Sequence, residues 1–131
     1  MRWTFESRDG LQALTPRACD CDFCMRHRAA WVSDPEGQLR IHARSALLQR
    51  YRQGSGQAEF LLCRECGVLV AVVARSADGS LIGAANRNAF DGRAAFTDEK
   101  SVSPRLLAAE VKLARWSQLW MPTELSVSAD D

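Results

Sequence analysis

Five cysteines carry the chemistry legible in this chain, and all of them fall between Cys19 and Cys66. Cys19, Cys21 and Cys24 form a dense C-x-C-x-x-C run. Cys63 and Cys66 form a C-x-x-C closed by Gly67. An odd number of thiols cannot pair off completely as disulfides. Zinc, by contrast, takes thiolates in tetrahedral geometry, and short spacings let one loop supply two or three of them. Cys63-Arg64-Glu65-Cys66-Gly67 therefore reads as a metal knuckle on a hairpin tip, with Gly67 relieving the tight backbone. Three thiolates drawn from six residues wrap one ion and leave its fourth position open, which is what separates a catalytic zinc site from a closed structural one. Zinc on three thiolates carries a net charge of about −1 and is a weaker Lewis acid than zinc on neutral imidazoles. Such a centre suits capture of a thiol better than generation of hydroxide, so the expected substrate is a thiol or an aldehyde. A rival reading joins Cys21, Cys24, Cys63 and Cys66 in one closed site and leaves Cys19 spare. Spacing alone does not separate the two. A redox role for Cys63 and Cys66 would call for a βαβ pattern that the chain lacks.

Other side chains are weighed against that metal chemistry. His27 follows the triple group by three residues and reads as a fourth ligand or base, or as a surface histidine between Arg26 and Arg28. His42 lies in a strand pattern and reads as structural. Arginine supplies 15 of the 17 basic residues. Arg26, Arg28 and Arg64 flank the cysteine groups and are the candidates for bidentate recognition of substrate carboxylates. Arg50 and Arg52 share one face of a strand and read as a solvated face. Trp31 reads either as part of a substrate cleft or as core.

The elements that must hold these residues are mostly β. Arg2 to Glu6 alternates around Trp3 and Phe5, Gln38 to Ala43 around Leu39 and Ile41, and Leu47 to Arg52 and Ala58 to Leu62 continue the pattern. Val68 to Val73 is apolar on both faces and predicts a buried central strand. Ala77-Asp78-Gly79-Ser80 is a hairpin turn into Leu81 to Ala85. Met25 to Val32 fits either a helical turn or irregular chain, and Asn88 to Lys100 has no period and reads as loop. Ser103-Pro104 is N-cap chemistry for a helix over Pro104 to Leu119, which Pro122 would stop. Trp116 and Trp120 share its apolar face, for packing or for a homodimer contact if exposed.

Composition bounds the answer. The chain of 131 residues is 47% hydrophobic and 25% charged, with a formal charge of +1. That predicts one globular domain over 1–131 and disfavours a general nucleic-acid binder. No apolar run spans a bilayer, so no membrane partner is expected. The charged first nine residues lack the apolar core of an export signal, so a cytoplasmic, reducing location is expected.

As a set, Arg2-Trp3-Thr4-Phe5-Glu6, the C-x-C-x-x-C run, Ser33-Asp34-Pro35-Glu36-Gly37 and Phe60-Leu61-Leu62-Cys63-Arg64-Glu65-Cys66-Gly67 resemble the glutathione-dependent formaldehyde-activating enzymes, grouped with centromere protein V. The likeness is strongest over residues 2–86. It implies a mainly β fold, the β-tent, built of zinc-ribbon-like antiparallel sheets, here with a C-terminal helix. It implies a catalytic zinc on Cys19, Cys21 and Cys24, and a structural four-cysteine zinc of which Cys63 and Cys66 supply half. The other half, a C-x-C ahead of the first strand, has no counterpart in residues 1–18. Either the start was assigned too far downstream or this member lost that half. The activity implied is a carbon–sulfur lyase or synthase that adds glutathione to formaldehyde, giving S-hydroxymethylglutathione. The alternatives are a non-catalytic zinc-binding structural or interaction module and a thiol redox or metal sensor.

Overall fold

The computed structural model describes residues 1–129. Ten strands and two helices follow one another as β1 (Arg2–Glu6), β2 (Arg17–Cys19), α1 (Asp22–His27), β3 (Ala30–Val32), β4 (Gln38–Arg44), β5 (Leu48–Arg52), β6 (Ala58–Cys63), β7 (Leu69–Arg75), β8 (Leu81–Asn86), β9 (Lys100–Val102), α2 (Ala109–Leu119) and β10 (Met121–Ser128). The fold is mainly β with a helix near the C-terminus, as the sequence predicts. Its sheet is mixed rather than purely antiparallel, because β10 pairs in parallel with β4 and β9 in parallel with β2.

The strand called central by its apolar run is central. Six of the seven residues of β7 are buried, and they feed two separate cores. Val72 and Ala74 face one core with Trp31, Phe60 and Trp120; Ala71 and Val73 face the other with Leu39, Ile41, Leu61 and Met121. Strict alternation is broken once. Leu61 pairs with Ala71 but Leu62 pairs with Leu69, so Val70 is the extra residue of a bulge and joins Ala71 in the second core.

One edge of β8 pairs with β7 along its length, from Arg75↔Leu81 to Ala71↔Ala85. The opposite edge is divided. Ile82 and Gly83 pair with Pro122 and Met121 of β10, whereas Ala85 and Asn86 pair with Val32 and Trp31 of β3. From this fork one branch runs through β10 to β4 and β1, and the other through β3 to β2 and β9. Buried Asn86 secures it: its Nδ2 donates to the Leu69 carbonyl at 2.9 Å, and its Oδ1 accepts from the Ala30 N–H at 3.3 Å.

Four strands lay beyond the sequence reading. β2, β3 and β9 are three residues each, too short to show a period. β10 begins within two residues of the helix and holds Pro122, which reads as a helix stop. The helix itself starts later than predicted. Pro104–Leu106 is a separate 3-10 turn, and the Ser103 hydroxyl donates to Asp20 at 2.6 Å instead of capping the turn behind it. The α-helix begins at Ala109. Asn88 to Lys100 is loop with two short 3-10 turns until β9 begins at Lys100.

Gly83 marks where the fork is tightest. A Cβ built there would lie 2.8 Å from the Val72 carbonyl oxygen and 2.8 Å from the Thr123 hydroxyl. The backbone of β7 cannot yield without opening a pairing, and the Thr123 hydroxyl can turn away only by giving up its bond to the Met121 carbonyl at 2.9 Å. Gly83→Ala is expected to lower stability by about 1–3 kcal/mol through overpacking, read as a fall in the thermal unfolding midpoint. An unchanged midpoint would mean that the fork is looser than described.

Candidate metal centre

Cys19, Cys21 and Cys24 are brought together by three different backbone devices. Cys19 ends β2 and is fixed by its pairing with Val102 of β9. The next residue is locked as well: the Asp20 N–H donates to the Val102 carbonyl at 3.0 Å, and its carboxylate accepts from Ser103 at 2.6 Å and Arg105 at 3.2 Å. Cys21 is the N-cap of α1. The C-x-x-C spacing is the spacing from N-cap to third helical residue, so the Cys24 N–H donates to the Cys21 sulfur at 3.4 Å. Cys24 is buried under the helix, which Arg28 closes in the left-handed conformation at φ 52°. A helix this short terminates at once and sends the chain into β3, the partner of β2. The stretch after Cys24 that the sequence left open is therefore a six-residue helix followed by a strand.

The three sulfurs lie within 4.8 Å of one another. A hydrogen bond from the Cys24 thiol lowers the pKa of Cys19 to about 6, against the opposing effect of burial. The same bond, burial and the Cys19 charge push Cys24 up. The Cys21 sulfur also accepts from the Gln53 amide at 3.6 Å, so the loop between β5 and β6 reaches the group. Soft donors at this separation, one of them buried and two half-buried, fit a divalent zinc or similar thiophilic ion held at three corners.

The thiols open onto a cavity of about 270 Å³. Trp31 and Phe60 form part of its wall, and Trp116 and Trp120 of the α2 segment, stacked on each other at 4.5 Å, form another part. Trp31 thus serves as core and cavity wall together, and the tryptophan pair packs inside the chain. The cations lining the cavity are Arg17, Arg105, Lys112 and Arg115. Arg26, Arg28 and Arg64, expected to meet substrate, do not line it. Arg26 is spent on Asp22 one helical turn back at 3.0 Å, Arg28 is the exposed residue that ends α1, and Arg64 is exposed on the knuckle. Arg17 could have been found from sequence. It precedes Cys19 by two residues and so shares its face of a strand, but β2 shows no periodicity of its own. Lys112, Arg115 and Trp116 reach the cavity only because α2 lies across it.

Cys63 and Cys66 stand apart from this group. Cys63 is buried at the end of β6 and Cys66 is exposed. The knuckle is formed: Gly67 takes φ 78°, and its N–H donates to the Cys63 carbonyl at 2.7 Å. Hydrogen bonds from the Cys66 N–H and thiol lower the Cys63 pKa. No cluster of three metal-binding side chains forms around the knuckle among the described residues, and the one at Cys19 does not include it. The single closed site made of both pairs is therefore not what the fold builds. His27 is exposed and packs on Phe23 at 4.6 Å, outside the thiol group. Arg50 and Arg52 form the solvated face expected of them and pair with Glu59 at 2.8 and 3.2 Å.

With zinc supplied, Cys19→Ser, Cys21→Ser and Cys24→Ser should each lose one bound ion, measured by elemental analysis of folded protein. Cys63→Ser and Cys66→Ser should keep that ion. Loss of the same ion from the Cys63 variant would contradict the separation described.

No protein-family model matches the chain, and no curated protein does. Among solved structures it is similar to the crystal structure of a Rhodobacter sphaeroides protein, with 22% identity over 67% of this chain and 79% of that one and a TM-score of 0.46.

Proposed function

We propose that this protein is a zinc-dependent carbon–sulfur lyase or synthase, which adds a thiol to a small aldehyde and, in reverse, releases them. Glutathione and formaldehyde are the pair implied by the family that the sequence resembles. The observation that carries the reading is the convergence of three cysteine sulfurs within 4.8 Å on the wall of a cavity. Cys19, Cys21 and Cys24 would hold zinc, which supplies, when bound, a Lewis-acidic position with affinity for sulfur and oxygen.

The chain's own contribution is placement. In the addition an S–C bond forms, the carbonyl π bond becomes a C–O single bond, and the thiol proton ends on that oxygen. Much of the barrier to such a bimolecular step is removed by holding both reactants in contact. Trp31 and Phe60 wall the cavity beside the sulfurs and limit water there. The hydrogen bonds from the Cys24 N–H and the Gln53 amide fix the direction of the Cys21 sulfur. Arg17, Lys112 and Arg115 supply positive charge for a substrate carboxylate.

Purified zinc-loaded protein should accelerate exchange between S-hydroxymethylglutathione and its components, followed by NMR exchange spectroscopy. Cys19→Ser with a wild-type circular dichroism spectrum should lose on the order of 10²-fold, by displacement of the reacting centre. Wild-type protein that leaves the spontaneous rate unchanged across thiols and aldehydes would refute the assignment.

A further inference from the structure

The cavity is shaped for something other than a one-carbon aldehyde alone. A molecule of that kind needs little more than the ~30 Å³ that one water claims in the liquid, against the 270 Å³ present. The walls around that space are Trp31, Phe60, Val72, Leu119 and the Trp116–Trp120 stack. They offer ring faces and methyl groups and few hydrogen-bond partners, so a polar peptide backbone placed against them would lose water without replacement. An apolar, and especially an aromatic, body would not.

Into this apolar space projects Arg17. It is half-buried, and among the described residues no carboxylate pairs with it. Its one hydrogen bond runs from Nη2 to the Ser33 hydroxyl at 2.7 Å, and that hydroxyl donates in turn to the Leu119 carbonyl at 2.6 Å. The guanidinium is thus steered by the residue that follows β3 and by the end of α2, yet keeps most of its donors for a ligand. By contrast, Arg105 is already engaged by Asp20 at 3.2 Å. A half-buried guanidinium without a counter-ion, set among ring faces with Lys112 and Arg115 also on the lining, is an arrangement that recognises one carboxylate in bidentate fashion.

We infer that one of the two reactants of the proposed reaction is an apolar carboxylic acid, its carboxylate on Arg17 and its ring or branched chain between Trp31–Phe60 and the Trp116–Trp120 stack. This rests on the carbon–sulfur reading for the meaning of "reactant", but the binding claim stands on the cavity alone. The same chemistry serves an acid that brings the thiol and an acid that brings the aldehyde.

Titration of the zinc-loaded protein with phenylacetate and with phenylacetamide tests the claim, read by quenching of the cavity tryptophans and by calorimetry. The acid is expected to bind roughly tenfold to a hundredfold more tightly than the amide, the range for a charge-assisted pair. Arg17→Gln should remove most of that difference with its zinc content unchanged, and Trp116→Ala should weaken acid and amide alike. Para-mercaptobenzoate and para-formylbenzoate form the two further arms. Whichever exceeds phenylacetate in affinity identifies the reactant that carries the acid, and either result supports the inference. Equal binding of phenylacetate and its amide, binding of neither, or a folded Arg17→Gln protein that binds the acid as wild type does, would overturn it. Should Arg17→Gln fail to fold, the acid-to-amide ratio on the wild-type protein decides. Acid-selective binding in a protein without carbon–sulfur turnover would sink the proposed reaction and leave the binding claim intact.

Discussion

Everything in this molecule hangs on how the hydrogen-bonding edge of β8 is divided. A strand has two edges, and here one is filled by β7 while the other is split between β10 and β3. The split obliges the sheet to branch, and a branch exposes backbone groups where the two arms part. Asn86 covers that gap by imitating a peptide unit, with its amide donating to Leu69 and accepting from Ala30. A buried polar side chain is costly unless its partners are satisfied, and no buried polar side-chain atom is left without one among the described residues. The thiol group belongs entirely to the β3 arm, since Cys19 ends β2, and β2 is held by β3 and β9.

The two cores reflect the same division. The core on the β10 arm holds the fully buried Leu39, Ile41, Leu61 and Met121, each side chain worth ~2 kcal/mol of burial. The other core includes Cys24, Trp31, Phe60 and Trp120, and it is the one hollowed by the cavity. Rigidity and reactivity are kept on opposite faces of β7. The bulge at Val70 lets one apolar strand serve both, by turning a second consecutive side chain toward the solid core.

Much of the frame was readable before any coordinates, and the parts that were not share a cause. Strands of five to seven residues with alternating or continuous apolar character, such as Arg2–Glu6, Gln38–Arg44 and Leu69–Arg75, announce themselves through periodicity. Arg17–Cys19, Ala30–Val32 and Lys100–Val102 are too short for any period, and only pairing partners distant in sequence make them strands. The thiol trio that could hold a metal ion was legible because three cysteines so close together have few other uses. Its surroundings were not. Proximity in sequence pointed to Arg26, Arg28 and Arg64, whereas the charges around the cavity come from Arg17, Arg105, Lys112 and Arg115, delivered by β2 and by a segment some ninety residues away. Likewise Ser103 looked like a helix cap, but the carboxylate of Asp20 competed for its hydroxyl and won.

The helix α2 deserves a last thought on its own account. It contributes no buried residue to the protein, yet Lys112, Arg115, Trp116 and Leu119 from it line the cavity. Drift at Lys112 and Arg115 therefore costs the scaffold little, while it alters what the thiols can receive. Substitutions on the cationic face of this helix would leave the thiol group in place and change the clientele of the cavity beside it.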